Sequence, residues 1–116
     1  MNLEQIREYA LSKAQVTESC TFGIDLPQFK VAGKIFIIMN TTYPFSLNLK
    51  CNPERAISLR EEYEEIQPGY HMNKVHWNTV MLEGRLPDTL IKNLIDHSYN
   101  LVISSLPKRS QELFKK

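Results

Sequence analysis

The chain has few cysteines, few glycines and no long apolar run. It contains 2 cysteines and 4 glycines among 116 residues. Two separate cysteines, Cys20 and Cys51, cannot build a disulfide scaffold or a CxxC pair, so we expect reduced thiols. The longest apolar run, residues 35–39, is far too short to cross a membrane. The first residues also lack the apolar core of a signal peptide, so we expect a cytoplasmic protein without a membrane partner.

The chain also lacks an excess of charge of one sign. It has 14 Lys and Arg residues against 13 Asp and Glu residues, a net charge of +1. This balance excludes a bulk polycation, so any nucleic-acid binding must come from a local patch. The hydrophobic fraction of 42% excludes a disordered chain, and the length fits a single domain over residues 1–116.

Apolar spacing predicts one helix and about three strands in the first half of the chain. Asn2 can cap a helix that ends near Ala14. Strand patterns follow at residues 29–31, 35–39 and 45–50. The middle run is apolar throughout, which indicates a strand covered on at least part of both faces. Short turns separate these segments, so we expect a mainly antiparallel sheet.

The second half of the chain predicts two helices and one strand. An Asn-Pro pair at residues 52–53 begins a helix whose apolar spacing continues to Ile66, before the Pro-Gly pair at 68–69 breaks it. A short strand covers residues 79–83, and Asp88 caps the last long helix. With its helices on one face of the sheet, the predicted fold is an α+β two-layer sandwich.

Chemically useful side chains concentrate in the irregular stretch of residues 68–79. Lys74 and His76 offer charge or donors to an anion, and Tyr70 or Trp77 offers a flat face to a base. A purely structural role is the alternative, and for Trp77 we favour a buried core position because one tryptophan covers a large area. The candidate residues for nucleic-acid or anion contact are Lys50, Tyr70, Asn73, Lys74, His76 and Trp77.

The sequence contains few patterns that are typical of enzymes or metal-binding proteins. Cys51 precedes a helix start, which can lower a thiol pKa, but a nucleophile also needs a histidine brought close by the fold. We favour a small, partly buried thiol. His71 and His76 are not spaced as a helical ligand pair, and no third ligand lies nearby in the sequence. No GxGxxG, P-loop, HExxH or GxSxG motif occurs. We therefore expect no enzymatic activity, no metal and no cofactor.

Several motifs together resemble the MmcQ/YjbR family. They are GKIF at 33–36, LNLKCNPE at 47–54, PGYHMNKVHWNT at 68–79, SY at 98–99 and LPK at 106–108. The resemblance covers about residues 22–108. It implies a small bacterial cytoplasmic protein with an α+β domain similar to the frataxin-like (CyaY-like) fold. It also implies DNA binding, by analogy with "double wing" DNA-binding domains, and it supplies no catalytic residues.

The loop chemistry and the resemblance support two functional hypotheses. In the first, the protein is a non-enzymatic module, a monomer or weak dimer, that binds DNA with Lys50, Lys74 and His76 at phosphates. In the second, the irregular loop and the Lys50 strand border a pocket for a small anionic ligand or a protein partner, lined by Lys50, Asn73, Lys74 and Trp77. The nearly neutral charge of the chain argues against tight non-specific DNA binding at physiological salt.

Overall fold

The computed structural model describes residues 1–70, 72–82 and 84–114. Its helices are α1 (Leu3–Leu11), α2 (Pro53–Glu62), α3 (Asp88–Ser104) and α4 (Lys108–Gln111), and a 3-10 turn follows at Glu112–Phe114. Its strands are β1 (Val16–Ser19), β2 (Gln28–Val31), β3 (Lys34–Asn40), β4 (Ser46–Lys50), β5 (Ile66–Pro68) and β6 (Trp77–Met81). No helix in this described part is long and apolar enough to span a membrane.

The six strands form one sheet in the order β1-β2-β3-β4-β6-β5, and every neighbouring pair is antiparallel. The predicted α+β fold with an antiparallel sheet is therefore confirmed. The turn between β2 and β3 places Ala32 and Gly33 at φ values of 52° and 78°. Two successive positive φ values match the twist of the flanking strands, which is why a two-residue turn suffices here.

Strand alternation gives the sheet two different faces. Ile37 lies opposite Leu49, and Leu47 lies opposite Val80, so these side chains share the face that the helices cover. Asn48 lies opposite Ile38 on one side and Thr79 on the other, on the face without helices. We call this second surface the open face. Its residues include Gln28, Lys30, Ile38, Asn40, Ser46, Asn48, Lys50, Gln67, Trp77, Thr79 and Met81.

The core lies between the helices and the covered face. Its helical side comes mainly from α1 and α3, whose buried apolar residues recur at helical spacing. Those residues are Ile6, Ala10, Ile91, Leu94, Ile95 and Val102. Helix α2 starts at Asn52, whose side chain accepts hydrogen bonds from the N–H groups of Glu54 and Arg55.

A β-bulge turns one aromatic residue of β3 toward the helices. Phe29 pairs with Ile37, but the next pair joins Lys30 to Ile35, so Phe36 has no partner on β2. Because of the extra residue, the side chains of Phe36 and Ile37 both point to the face that the helices cover, and Phe36 is fully buried.

A single buried hydroxyl joins α3 to two strands beside this bulge. Ser98 Oγ donates a 2.6 Å hydrogen bond to the Phe36 carbonyl and accepts a 3.0 Å bond from the Lys50 N–H. The Phe36 ring packs edge-on against Tyr99 with 5.4 Å between ring centroids. These contacts fix the position of the last long helix on the sheet.

The first helix and the first strand differ from the sequence prediction. Helix α1 ends at Leu11 rather than near Ala14, and four strands precede α2 where the pattern indicated about three. Gln15 has φ 62°, which reverses the chain into β1. Strand β1 has no apolar run because it is a short edge strand. It is held by pairing with β2 and by an ion pair between Glu18 and Arg7 of α1 at 2.9 Å.

The end of α2 was also predicted wrongly. The helix stops at Glu62, Tyr63 is extended, and Ile66 belongs to β5. Ile66 faces Val80 on β6 and is buried, so its apolar character comes from the sheet and not from the helix. Pro68 is tolerated in β5 because this is an edge strand.

The start of β6 and the cap of α3 also differ from the sequence prediction. Strand β6 covers Trp77–Met81 rather than 79–83, and residue 83 lies outside the described residues. Asp88 does not cap α3. The N-cap position is Pro87, which makes no side-chain cap bond, and the Asp88 carboxylate instead accepts a 2.7 Å bond from the Met1 amino group.

Replacing the bridging serine tests how far α3 depends on it. We expect Ser98→Ala to lower the free energy of unfolding by roughly 1–3 kcal/mol, because the Phe36 carbonyl loses a partner in the core. Urea unfolding measures this. Ser104→Ala removes an exposed hydroxyl that bonds only within the helix, and it should change stability little. Equal effects of the two substitutions would contradict the bridging role.

Candidate functional site

Arg60 of α2 anchors the loop between β5 and β6. Its guanidinium donates to the Asn78 side-chain oxygen at 2.7 Å, to the Trp77 carbonyl at 3.3 Å, and to the Lys74 carbonyl. The described residues of the loop, 69–70 and 72–76, are therefore tied to the helical layer through the Arg60 side chain.

Two of the predicted site residues hold the same loop from within. Asn73 Oδ1 accepts hydrogen bonds from the N–H groups of Val75 at 2.9 Å and His76 at 3.3 Å. The Lys74 ammonium donates to the Gly69 carbonyl at 3.0 Å across the loop. For Asn73 and Lys74 the structure thus shows loop-shaping contacts.

Trp77 lies half-buried on the open face, outside the main core. The interpretation of this residue as a buried core anchor is wrong. Its place depends on Gly69, whose N–H donates to the Trp77 carbonyl at 2.9 Å. A Cβ at position 69 would lie 2.8 Å from Trp77 Cβ and 3.0 Å from Met72 Cβ. Only glycine fits there without displacing the tryptophan.

The remaining predicted residues present their side chains at the surface. Lys50 lies directly opposite Trp77 on the open face, and His76 is exposed in the loop. In residues 1–70, 72–82 and 84–114, no hydrogen bond or ion pair engages the Lys50 ammonium, the His76 imidazole or the Trp77 indole N–H. Tyr70 has 68% of its surface exposed. The structure therefore brings Lys50, Trp77 and Tyr70 to one side of the molecule.

A groove of about 540 Å³ crosses the open face next to this loop. Its polar residues are Asn40, Ser46, Asn48, Gln67 and Thr79, and its apolar residues are Phe22, Leu26, Ile38, Pro44, Tyr70, Met72 and Met81. None of these described lining residues is charged. Three loops form the rim, at residues 20–27, 41–45 and 69–76.

The groove presents hydrogen-bond donors. The Thr79 hydroxyl donates to the Asn48 amide oxygen, and the Thr42 N–H donates to the Asn40 amide oxygen at 3.1 Å. Thr79 in turn accepts from the Tyr70 N–H at 2.9 Å. The NH₂ groups of Asn40 and Asn48 make no hydrogen bond within the described residues, so they are donors available to a ligand.

Exposed apolar residues mark the rim at residues 20–27. Phe22 is 54% exposed and Ile24 is 85% exposed. The loop is shaped by backbone bonds, and the Thr41 N–H and hydroxyl both donate to the Asp25 carbonyl at 3.0 Å. Sequence reasoning missed this rim because the segment has no periodic pattern and no motif with a known chemistry.

Cys51 and His97 line a small cavity of about 10 Å³. Burial raises the pKa of the Cys51 thiol, against the lowering expected at a helix start. Burial, and then the Arg55 charge, lower the pKa of His97, whose Nε2 accepts a 3.1 Å bond from the Asn52 N–H. The sequence predicted a small, partly buried thiol, and the structure places Cys51 in a buried position.

Another polar cluster, between α1 and α3, is structural. The Tyr9 hydroxyl donates to Asp96 at 2.7 Å, and the Lys13 ammonium bonds the same carboxylate. Burial and the bond to Asp96 raise the pKa of Tyr9 to about 12. The Lys13 ammonium also lies 4.9 Å from the centre of the Tyr9 ring and 5.1 Å from that of Tyr99.

No group of three or more potential metal ligands occurs in the described part of the chain. His71, one of the two histidines that the sequence analysis considered as metal ligands, lies outside the described residues.

Comparison with known proteins identifies the family. The YjbR family model matches residues 11–101. The chain belongs to the YjbR family. It is 37% identical over 111 residues to YbdF of Escherichia coli O157:H7, covering 94% of this chain and 90% of that protein. It is 32% identical over 114 residues to YjbR of Escherichia coli K12, covering 97% of each. The resemblance to the MmcQ/YjbR family is thus confirmed, and the names of these relatives state no activity.

Two solved structures share the fold of this chain. A crystal structure of Deinococcus radiodurans protein DR2400, with a DUF419 domain, superposes with a TM-score of 0.90 at 33% identity. The match covers 97% of this chain and 87% of that one. A Pseudomonas syringae protein superposes with a TM-score of 0.78 at 30% identity, covering 87% and 98% of the two chains.

The close contact between Gly69 and Trp77 can be tested by measuring the stability of a Gly69 variant. We expect Gly69→Ala to lower the free energy of unfolding by roughly 1–3 kcal/mol, because the added methyl group overlaps Trp77 Cβ. Urea unfolding together with Trp77 fluorescence reports both stability and the tryptophan environment.

Gly33→Asn serves as the control, because nothing lies within 4 Å of a Cβ there and asparagine tolerates positive φ. If Gly69→Ala costs no more than Gly33→Asn and leaves the Trp77 fluorescence unchanged, the close packing at residue 69 is contradicted.

Proposed function

We propose that the protein is a non-enzymatic nucleic-acid-binding module that contacts DNA with its open face. The observation that carries the proposal is the pairing of Lys50 with Trp77. On the open face they form the next cross-strand pair after Asn48 and Thr79, which line the groove. A cation, an aromatic ring and a neutral groove are thereby aligned on one surface.

Each part of this surface suits a different part of a nucleic-acid strand. The Lys50 ammonium can meet a phosphate, since it has no acidic partner among the described residues. Trp77 and Tyr70 offer ring faces on which bases stack. The uncharged groove suits neutral bases rather than phosphates. His76 adds an exposed imidazole at the same end.

The charge of the surface sets the expected strength of binding. The sequence predicted a phosphate contact for Lys74. Because the Lys74 ammonium bonds the Gly69 carbonyl, this proposal gives Lys74 a loop-shaping role instead. With Lys50 as the main cation beside the groove and a chain charge of +1, binding should be weak and shallow in its salt dependence.

A protein partner is the second candidate function. The specific observation in its favour is the exposure of Phe22 and Ile24 at the groove rim. A small anionic ligand is less well supported, because no described residue of the groove lining carries a positive charge.

Binding to short fluorescent DNA strands tests the proposal, with polarisation measured at low and moderate salt. We expect salt-weakened binding, and we expect Lys50→Ala to weaken it and to reduce the salt slope by about 0.7, the value for one single-strand phosphate contact. Lys92→Ala is the matched control, because Lys92 is an exposed lysine of α3 in the helical layer.

Two results would overturn the proposal. One is the absence of binding even at low salt. The other is an equal loss on Lys50→Ala and Lys92→Ala, which would show attraction to the whole chain rather than to the open face.

A further inference from the structure

We infer that the open-face groove is a subsite for an unpaired base, and that it favours bases whose edges carry carbonyl oxygens. This inference rests on the proposed nucleic-acid binding and specifies the form of the strand. It concerns Asn40 and Asn48, which were not among the residues singled out by the sequence.

Charge indicates which part of a strand enters the groove. A phosphate placed there would lose water without gaining a counter-charge, because none of the described lining residues is charged. A base is neutral and flat, and its edge carries hydrogen-bonding atoms. The groove therefore complements a base, while Lys50 at the adjacent pair complements the backbone.

The depth of the groove favours a single strand. Its floor belongs to the sheet and combines polar residues with Ile38 and Met81. Phe22, Pro44 and Tyr70 stand on loops around it. Bases in a duplex remain stacked and paired, so their faces cannot reach such a floor. Bases of a single strand can turn outward and stack on aromatic side chains. The volume of about 540 Å³ lies within the range of small-ligand sites.

The fixed amides indicate which bases fit. The oxygens of Asn48 and Asn40 accept bonds from Thr79 and Thr42, so their NH₂ groups are the available donors. Ile38 faces Asn48 and Asn40 faces Ser46, which places both amides on neighbouring strands of the same face. Two donors match the carbonyl oxygens of thymine, whereas adenine presents its own amino group on the edge that pairs.

A comparison of four equally long labelled probes tests the inference. They are a thymine strand, an adenine strand, a fully abasic strand and a duplex. The abasic strand keeps the sugar-phosphate charge and removes every base, so it separates groove binding from phosphate binding. Polarisation with the full chain at one low salt concentration gives the four dissociation constants.

Asn48→Asp is the decisive variant. Its carboxylate still accepts the bond from Thr79, but the NH₂ donor is replaced by a charged acceptor. Asn100→Asp, on an exposed position of α3, adds the same charge in the helical layer. Asn40→Asp repeats the test at the second amide, and thermal melting of each variant verifies that it folds.

We expect the thymine strand to bind about tenfold or more tightly than the abasic strand and the duplex, and more tightly than the adenine strand. Asn48→Asp should remove this preference, and Asn100→Asp should keep it. Equal affinities for the thymine and abasic strands, or equal effects of the two aspartate variants, would overturn the base subsite while leaving the proposed function standing. Failure of all four probes to bind at low salt would overturn both the base subsite and the proposed function.

Discussion

The structure depends on one constraint, which is that the helices cover only one face of a six-stranded sheet. Strand alternation then assigns neighbouring residues to opposite environments. Leu47, Leu49 and Val80 pack against helices, whereas Asn48 and Thr79 belong to the open face. The open face therefore needs side chains that tolerate solvent, and those side chains are the amides and hydroxyls that line the groove.

The two faces are coupled at β4. The Lys50 N–H is held from the helical side by the Ser98 hydroxyl, while the Lys50 side chain belongs to the open face opposite Trp77. Arg60 makes a similar connection, because it lies on α2 and bonds the carbonyl of Trp77. Polar contacts of the helical layer thus hold the backbone at Lys50 and Trp77, whose side chains lie on the open face.

Sequence reasoning succeeded where local chemistry decides the structure. The caps at Asn2 and Asn52 and the buried strand β3 are each encoded within a few neighbouring residues. It failed for β1 and β5, which are short edge strands formed by pairing with distant partners.

The candidate site was predicted only in part, for a related reason. Sequence reasoning selected Tyr70, Trp77 and Lys50 because of their residue types and their positions in or near a loop. The groove residues did not, because Phe22, Asn48 and Thr79 are ordinary residues far apart in the sequence, and only the sheet register brings them together. Trp77 was misplaced because its environment depends on contact with Gly69 rather than on periodicity.

The most direct test of the central claim, that the open face binds a nucleic-acid strand, is an NMR titration of the labelled protein with a thymine strand. We expect the backbone amide signals of Lys50, Tyr70 and Thr79 to shift, with those of α1 and the solvent side of α3 unchanged. Shifts confined to the helical layer, or no shifts at a strand concentration that saturates polarisation, would contradict the assignment of the open face as the binding surface.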